Sequence, residues 1–310
     1  MFTSTGAYKV TFGLCAGHAA PVYLGAPRQD RGVITQKTIF RRRHLVDLQL
    51  TGKKAIVTGG SRGIGRAIAR QLALEGCDVA ICARRAGPLN EAADALAKES
   101  GRKVVGIVCD TLDPESIKGF VNAAAQQLGG INIVINSAAR VGGTAGTVEN
   151  VSDMDVLRDF EEKVVGYLRM VQAAVPFMKQ AGWGRVVNVS GGAGRAPGVA
   201  VSGGVRNAGT INLTKSMANA LGPYGINVNA IYPGQTITEA TIERYTEQAA
   251  RDGTTVDALL KKADDGTILK HVVTATDIGN FVAFLCSPLA IGIHGEAIGI
   301  DGGNRADMHF

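Results

Sequence analysis

Four glycines stand close together in Thr58-Gly59-Gly60-Ser61-Arg62-Gly63-Ile64-Gly65, between an apolar run and a helix-forming segment. Glycine lets a backbone turn tightly and approach a ligand closely, and the free amides and dipole of a following helix favour an anion. The chemistry implied is phosphate binding; the alternative is a tight strand-to-helix turn that binds nothing. Further on, Ile81-Cys82-Ala83-Arg84-Arg85 ends a second apolar run in two cations. Arg84 and Arg62 together offer several charge-assisted bonds to one dianion, unless Arg84 and Arg85 are only a solvated pair at a strand end.

Proton chemistry has fewer candidates. Ser190 ends another apolar run, and Ser202, Gly203, Arg206 and Asn207 follow before Leu213-Thr214-Lys215. Ser202 and Arg206 are four apart, so on a helix they share a face, where the guanidinium could orient a hydroxyl or bind a carboxylate. Arginine keeps its proton at neutral pH and cannot itself be the donor. Lys163, within Glu161-Glu162-Lys163-Val164-Val165-Gly166-Tyr167, is chemically more capable. A lysine facing an apolar pocket can have its pKa drawn toward neutrality; the alternative is a solvated lysine on a long helix. Tyr167, Tyr224 and Tyr232 read as packing residues.

The elements that must position these residues follow one rhythm after residue 50. Strand-like runs at 54–58, 78–82, 103–108, 132–136, 185–189, 227–231 and 297–300 alternate with helical segments near 63–76, 87–100, 114–128, 153–180, 204–221 and 275–286. Continuous apolar strands between helices imply a parallel sheet covered on both faces. The expected fold is α/β, a doubly wound Rossmann-type parallel sheet of about seven strands in a single domain over residues 48–310. Residues 235–273 interrupt the rhythm with charged, helix-forming sequence, a lid over a binding crevice or a solvated excursion.

In combination these motifs resemble the short-chain dehydrogenase/reductase family, across residues 48 to 303. Cys109-Asp110-Thr111 is similar to the family's adenine-contacting turn, and Asn136-Ser137-Ala138-Ala139 to its Asn-Asn-Ala-Gly. Tyr232-Pro233-Gly234-Gln235-Thr236 is similar to the segment whose threonine meets the nicotinamide end, and Asp301-Gly302-Gly303 to the family's C-terminal segment. The resemblance implies a cofactor set of Gly59, Ser61, Arg62, Gly63, Ile64, Gly65, Arg84, Asp110, Thr111, Asn136, Ala138, Asn207, Pro233, Gly234 and Thr236. Ala83 stands where an acid would accept bonds from a ribose 2'-hydroxyl, which favours NADP(H) over NAD(H).

The resemblance fails where the family's chemistry resides. Its Tyr-x-x-x-Lys falls on Gly203 and Asn207, its upstream asparagine on Lys163, and its serine on Ser190 or Gly191. Losing a positioned general acid costs about 100-fold to 10,000-fold in rate. The expectation is an NADP(H)-dependent oxidoreductase with an atypical site, acting on a small carbonyl, imine or alcohol. Its proton would come from substrate, water or a replacement among Ser190, Lys163, Ser202, Arg206 and Asn207. The alternative is a catalytically silent nucleotide-binding or regulatory protein of the same fold.

Charge and cysteine content bound the remaining possibilities. The net charge of +6 arises in residues 1–45, where seven basic residues face one acid, Asp30; the rest holds 26 of each sign. The basic balance therefore gives no reason to expect a nucleic-acid partner for the domain. Residues 1–47 read as a disordered or non-native extension, with organellar targeting the lesser alternative to a cytoplasmic protein. Cys15, Cys77, Cys82, Cys109 and Cys286 form no Cys-x-x-Cys pair, which argues for a reducing compartment and against zinc. No apolar run approaches the roughly 18 residues needed to span a bilayer, so no membrane association is expected. The family resemblance further implies a homodimer or homotetramer built on two long helices.

Overall fold

The structure, a computed structural model, describes residues 46–140, 143 and 145–304. The expected N-terminal extension and Cys15 lie outside these residues, apart from Val46 and Asp47. Seven strands form one sheet: β1 (Lys54–Thr58), β2 (Asp78–Ala83), β3 (Val104–Val108), β4 (Ile133–Asn136), β5 (Gly184–Val189), β6 (Ile226–Pro233) and β7 (Ala297–Ile300). Their order is β3-β2-β1-β4-β5-β6-β7, and every neighbouring pair is parallel. The order reverses between β1 and β4, the place where doubly wound sheets open a crevice beyond the strands' carboxyl ends.

Successive strand residues face opposite sides, and each side meets its own helices. Ala55 and Val57 pack toward Ile68 and Leu72 of α1 (Gly63–Leu74) and toward Ile278 and Val282 of α9 (Ala275–Cys286), with α2 (Ala86–Ser100) on the same side. Ile56 packs toward Phe120 and Val121 of α3 (Pro114–Leu128), Met170 and Ala174 of α5 (Gly166–Ala181), and Met217 and Leu221 of α6 (Val201–Leu221). Burial on both faces is why the central strands β1, β2 and β4 read as nearly continuous apolar runs. Several helix starts are fixed locally. Asp113 accepts from the Glu115 amide and Pro114 occupies the first turn of α3, while Thr274 and Asp277 form a reciprocal capping box on α9.

Two elements differ from the sequence reading. The expected helix over 153–180 is broken into α4 (Asp153–Phe160) and α5 by a π-helical turn at Glu161–Val165. Such a turn holds one residue more than an α-turn, a one-residue slip of phase that the reading of 153–180 as one continuous helix passes over. Helix α6 begins at Val201 rather than 204, because Gly203 and Gly204, which weaken the helical signal, lie inside its first turns. The segment at 235–273 contains α7 (Glu239–Asp252) and α8 (Val256–Asp265). Its ends are joined by Ile237 N donating to Val273 O at 2.9 Å and Ala275 N to Ile237 O at 3.1 Å.

Candidate active site

A cleft of about 1180 Å³ opens along the carboxyl ends of the central strands. Its phosphate-sized end is built by the glycine turn. Gly59 has φ +68°, and a Cβ there would lie 3.1 Å from the Ala138 backbone. A Cβ on Gly65 would lie 2.3 Å from the Gly59 carbonyl oxygen, so α1 seats on the turn only because residue 65 is glycine. Thr58 Oγ1 accepts from the amides of Ser137 and Ala138, each at 2.9 Å, and locks the turn after β1 to the turn after β4. At the mouth of α1, Gly63 N donates to Glu239 Oε2 at 2.9 Å, and Arg66 lies 3.6 Å from the same carboxylate. Sequence reasoning missed Glu239; its only signal was an acid in the first turn of a lid helix.

The other end of this wall is cationic. Arg62, Arg84 and Arg85 line the cleft and are exposed, and none has a carboxylate partner among the described residues. Asp110 and Thr111 line it beside them. Asp110 Oδ1 accepts from Leu112 N at 3.0 Å, which fixes that turn.

Of the predicted cofactor set, all but two residues line the cleft. Asn136 is fully buried beneath it: its amide donates to Asn188 Oδ1 at 2.9 Å and to Tyr167 O at 3.4 Å, and Asn188 donates on to Thr214. Thr236 turns its hydroxyl to Gly234 O at 3.0 Å. Thr238, two residues on, lines the cleft instead and caps α7. The exchange follows from the backbone between them, where Ile237 pairs with Thr274 as an isolated bridge.

The far end of the cleft holds the proton candidates. Ser190 lines it, but its hydroxyl donates to Asn207 O at 3.0 Å. Ser202 does not line it; its hydroxyl donates to the buried carboxylate of Asp159 on α4. Arg206 lies 3.9 Å from Asp159 and donates to Arg140 O at 2.7 Å. The Ser202–Arg206 pair expected on one helix face thus exists, turned to a common carboxylate. Asp159, which the sequence reading did not single out, ties α4, α6 and the residue-140 turn together. Tyr167 OH donates to Val189 O at 3.1 Å, and full burial raises its pKa well above the usual phenol range.

Lys163 is different. It sits mid-way in the π-turn, is 5 % exposed, and donates through Nζ to Asn207 Oδ1 at 2.7 Å. Burial, reinforced by the Arg206 guanidinium and opposed by Glu162, lowers its pKa to about 7. The Asn207 amide in turn donates to Gly203 O at 2.8 Å, and a Cβ on Gly191 would stand 2.8 Å from that amide. None of the chain's six tyrosines has lysine four residues later.

The cleft, the parallel sheet and the glycine turn have clear counterparts among known proteins. A family model described as enoyl-(acyl carrier protein) reductase matches residues 59–305. The 3-oxoacyl-[acyl-carrier-protein] reductase of Staphylococcus aureus is 34% identical over 260 residues, covering 81% of this chain and 97% of that protein. The NADPH-dependent reductase BacG of Bacillus subtilis is 28% identical, covering 84% of this chain and all of that one. Among solved structures, L-sorbose reductase from Gluconobacter frateurii, complexed with NADPH and L-sorbose, superposes with a TM-score of 0.80 at 28% identity, covering 85% of this chain and 100% of that one. With the family model spanning most of its length, the chain belongs to the short-chain dehydrogenase/reductase family.

Proposed function

We propose that the chain is an NADP(H)-dependent oxidoreductase acting on a small carbonyl, imine or alcohol. The observation that carries this reading is the group of three arginines beside Ala83 without carboxylate partners among the described residues, at the strand end where an acid would favour NAD. A 2'-phosphate fits there, and a pyrophosphate fits the cradle that Cβ atoms at Gly59 and Gly65 would fill. Asp110 and Thr111 would border the adenine, and Pro233, Gly234 and Thr238 the nicotinamide end. Bound in this way, the cofactor supplies a hydride. The chain's own residues orient the acceptor, exclude water and provide a proton.

The atypical part is the exchange of residue types across one hydrogen bond. Lys163 stands at the family's asparagine position and Asn207 at its lysine position, so an ammonium and an amide remain together although each comes from the other helix. That pair keeps hydrogen-bond donors for the cofactor's ribose, and Gly203 lines the cleft beside it, bringing no side chain of its own. Helices α7 and α8 are read as the substrate lid. Met154, Leu157 and Val205, exposed apolar residues on α4 and α6, support pairing of two copies through these helices.

The test is NADPH oxidation against a panel of ketones, aldehydes and cyclic imines, with NADPH and NADH affinities measured in parallel. NADPH preference with turnover on at least one compound class is expected. Tight NADPH binding with no turnover on any class would instead support a silent nucleotide-binding protein, the reading that the glycine at 203 favours.

A further inference from the structure

The reductase reading leaves open which atom gives up the proton, and the hydrogen bonds at the far end of the cleft narrow the choice. The Ser190 hydroxyl proton is committed to Asn207 O, that of Tyr167 to Val189 O, and that of Ser202 to Asp159. Arg206 is held by Asp159 and Arg140 O, and a guanidinium does not release its proton near neutrality. Glu162 also borders this end, as an acceptor when ionised. Lys163 is the remaining group. An ammonium has three protons, and one of them goes to Asn207 Oδ1. No carboxylate lies within ion-pair distance of it among the described residues.

We propose that the Lys163 ammonium is the proton donor of this reductase, aimed by the π-turn at Glu161–Val165 and held by Asn207 at the end of the cleft that Gly203 also lines. The inference rests on the reductase reading above. As the hydride adds to the substrate carbon, the π-bond electrons move to the carbonyl oxygen or imine nitrogen. That atom takes a proton from Lys163 Nζ, leaving a neutral amine. Solvent in the cleft mouth then returns a proton to the amine. Asn207 is a positioning residue: its amide donates to Gly203 O, so its carbonyl oxygen faces Lys163.

The charged and titratable groups around the ammonium agree with this role. Glu162 on the same turn and Arg206 from α6 oppose each other, with Asp159 of α4 behind Arg206 and the Tyr167 phenol below. Their sum, with burial, leaves Lys163 able to exchange a proton near pH 7.

The experiment compares the wild type with Lys163→Met and Lys163→Arg. One measurement needs no turnover: acetylation of the cofactor-free wild type across pH, read residue by residue by mass spectrometry. Lys163 is expected to reach half its limiting rate near pH 7. In turnover, Lys163→Met and Lys163→Arg should each lower kcat by about 100-fold to 10,000-fold. The decline of wild-type kcat above pH 7 should vanish in both, measured at saturating NADPH on variants with wild-type circular dichroism. The inference is overturned by kcat within tenfold of wild type in either variant, by survival of the alkaline decline, or by acetylation of Lys163 in the ordinary range. No wild-type turnover on any compound overturns it together with the reductase reading. Turnover that survives Lys163→Met overturns this inference alone.

Discussion

Replacing Lys163 by methionine should make the protein more stable, and the gain should depend on pH in a calculable way. The side chain is 5 % exposed, and burial lowers its pKa from 10.5 to about 7. For a base with a depressed folded-state pKa, the unfolded chain binds more protons than the folded one between the two values, so wild-type stability rises with pH across that window. Each pH unit within the window is worth about 1.4 kcal/mol. Below pH 7 the ammonium is kept in both states, and the full cost of burying it, about 5 kcal/mol, weighs on the fold; by pH 9 about 2 kcal/mol is left. Methionine has no such cost at any pH. It loses the bond to Asn207 Oδ1, a penalty of about 1–3 kcal/mol that does not vary with pH. The difference between two pH values therefore isolates the titration. Urea unfolding of both proteins at pH 6 and pH 9 should give a stability gain for Lys163→Met about 3 kcal/mol larger at pH 6. A gain equal at the two pH values would refute the claim that this lysine titrates near neutrality in the folded protein.

Arg84→Ala should weaken NADPH by about 10-fold to 100-fold and leave NADH nearly unchanged in calorimetric titrations, as expected for one or two charge-assisted bonds to a 2'-phosphate; equal losses would sink the assignment. Gly65→Ala should abolish binding of both cofactors, because its Cβ would press on the Gly59 carbonyl at 2.3 Å, and near-normal affinity would show that the turn yields without cost. Glu239→Gln should tighten NADPH several-fold by removing a carboxylate from the mouth of α1, with unchanged or weaker affinity counting against competition there. Asn136→Ala should cost about 1–3 kcal/mol in urea unfolding while leaving cofactor affinity intact in the folded protein, since it strands Asn188 Oδ1 in the core.

Most of the residues expected to hold the cofactor line one cleft because their requirements are local. A glycine turn must follow a strand and open a helix, and Arg84 must end the next strand, so spacing along the chain places them. Asn136 and Thr236 fall outside the lining of the cleft for a different reason. Both sit in motifs that adjoin the cleft, but the direction of each side chain is set by partners far away in sequence, Asn188 and Tyr167 for one and the Ile237–Thr274 bridge for the other. The proton end was the least legible. Ser202 and Arg206 share a helix face as their spacing requires, yet what they face is Asp159, which only the packing of α4 on α6 supplies. The meeting of Lys163 with Asn207 joins residues 44 positions apart. It passes through a π-turn whose extra residue a reading of 153–180 as one continuous helix does not resolve.

That extra residue also makes the active site a question of angular phase. Successive helical residues are rotated by about 100° around the axis. The face that α4 turns to α6 and the face that α5 turns to the sheet are brought into register by the wider turn at Glu161–Val165. Shortening this stretch by one residue would preserve every side chain that touches the cleft while rotating those before the deletion against those after it. Asp159 and Lys163 could not then both hold their present bearings toward α6. The length of the helix, and not only its composition, thereby sets how the site is built.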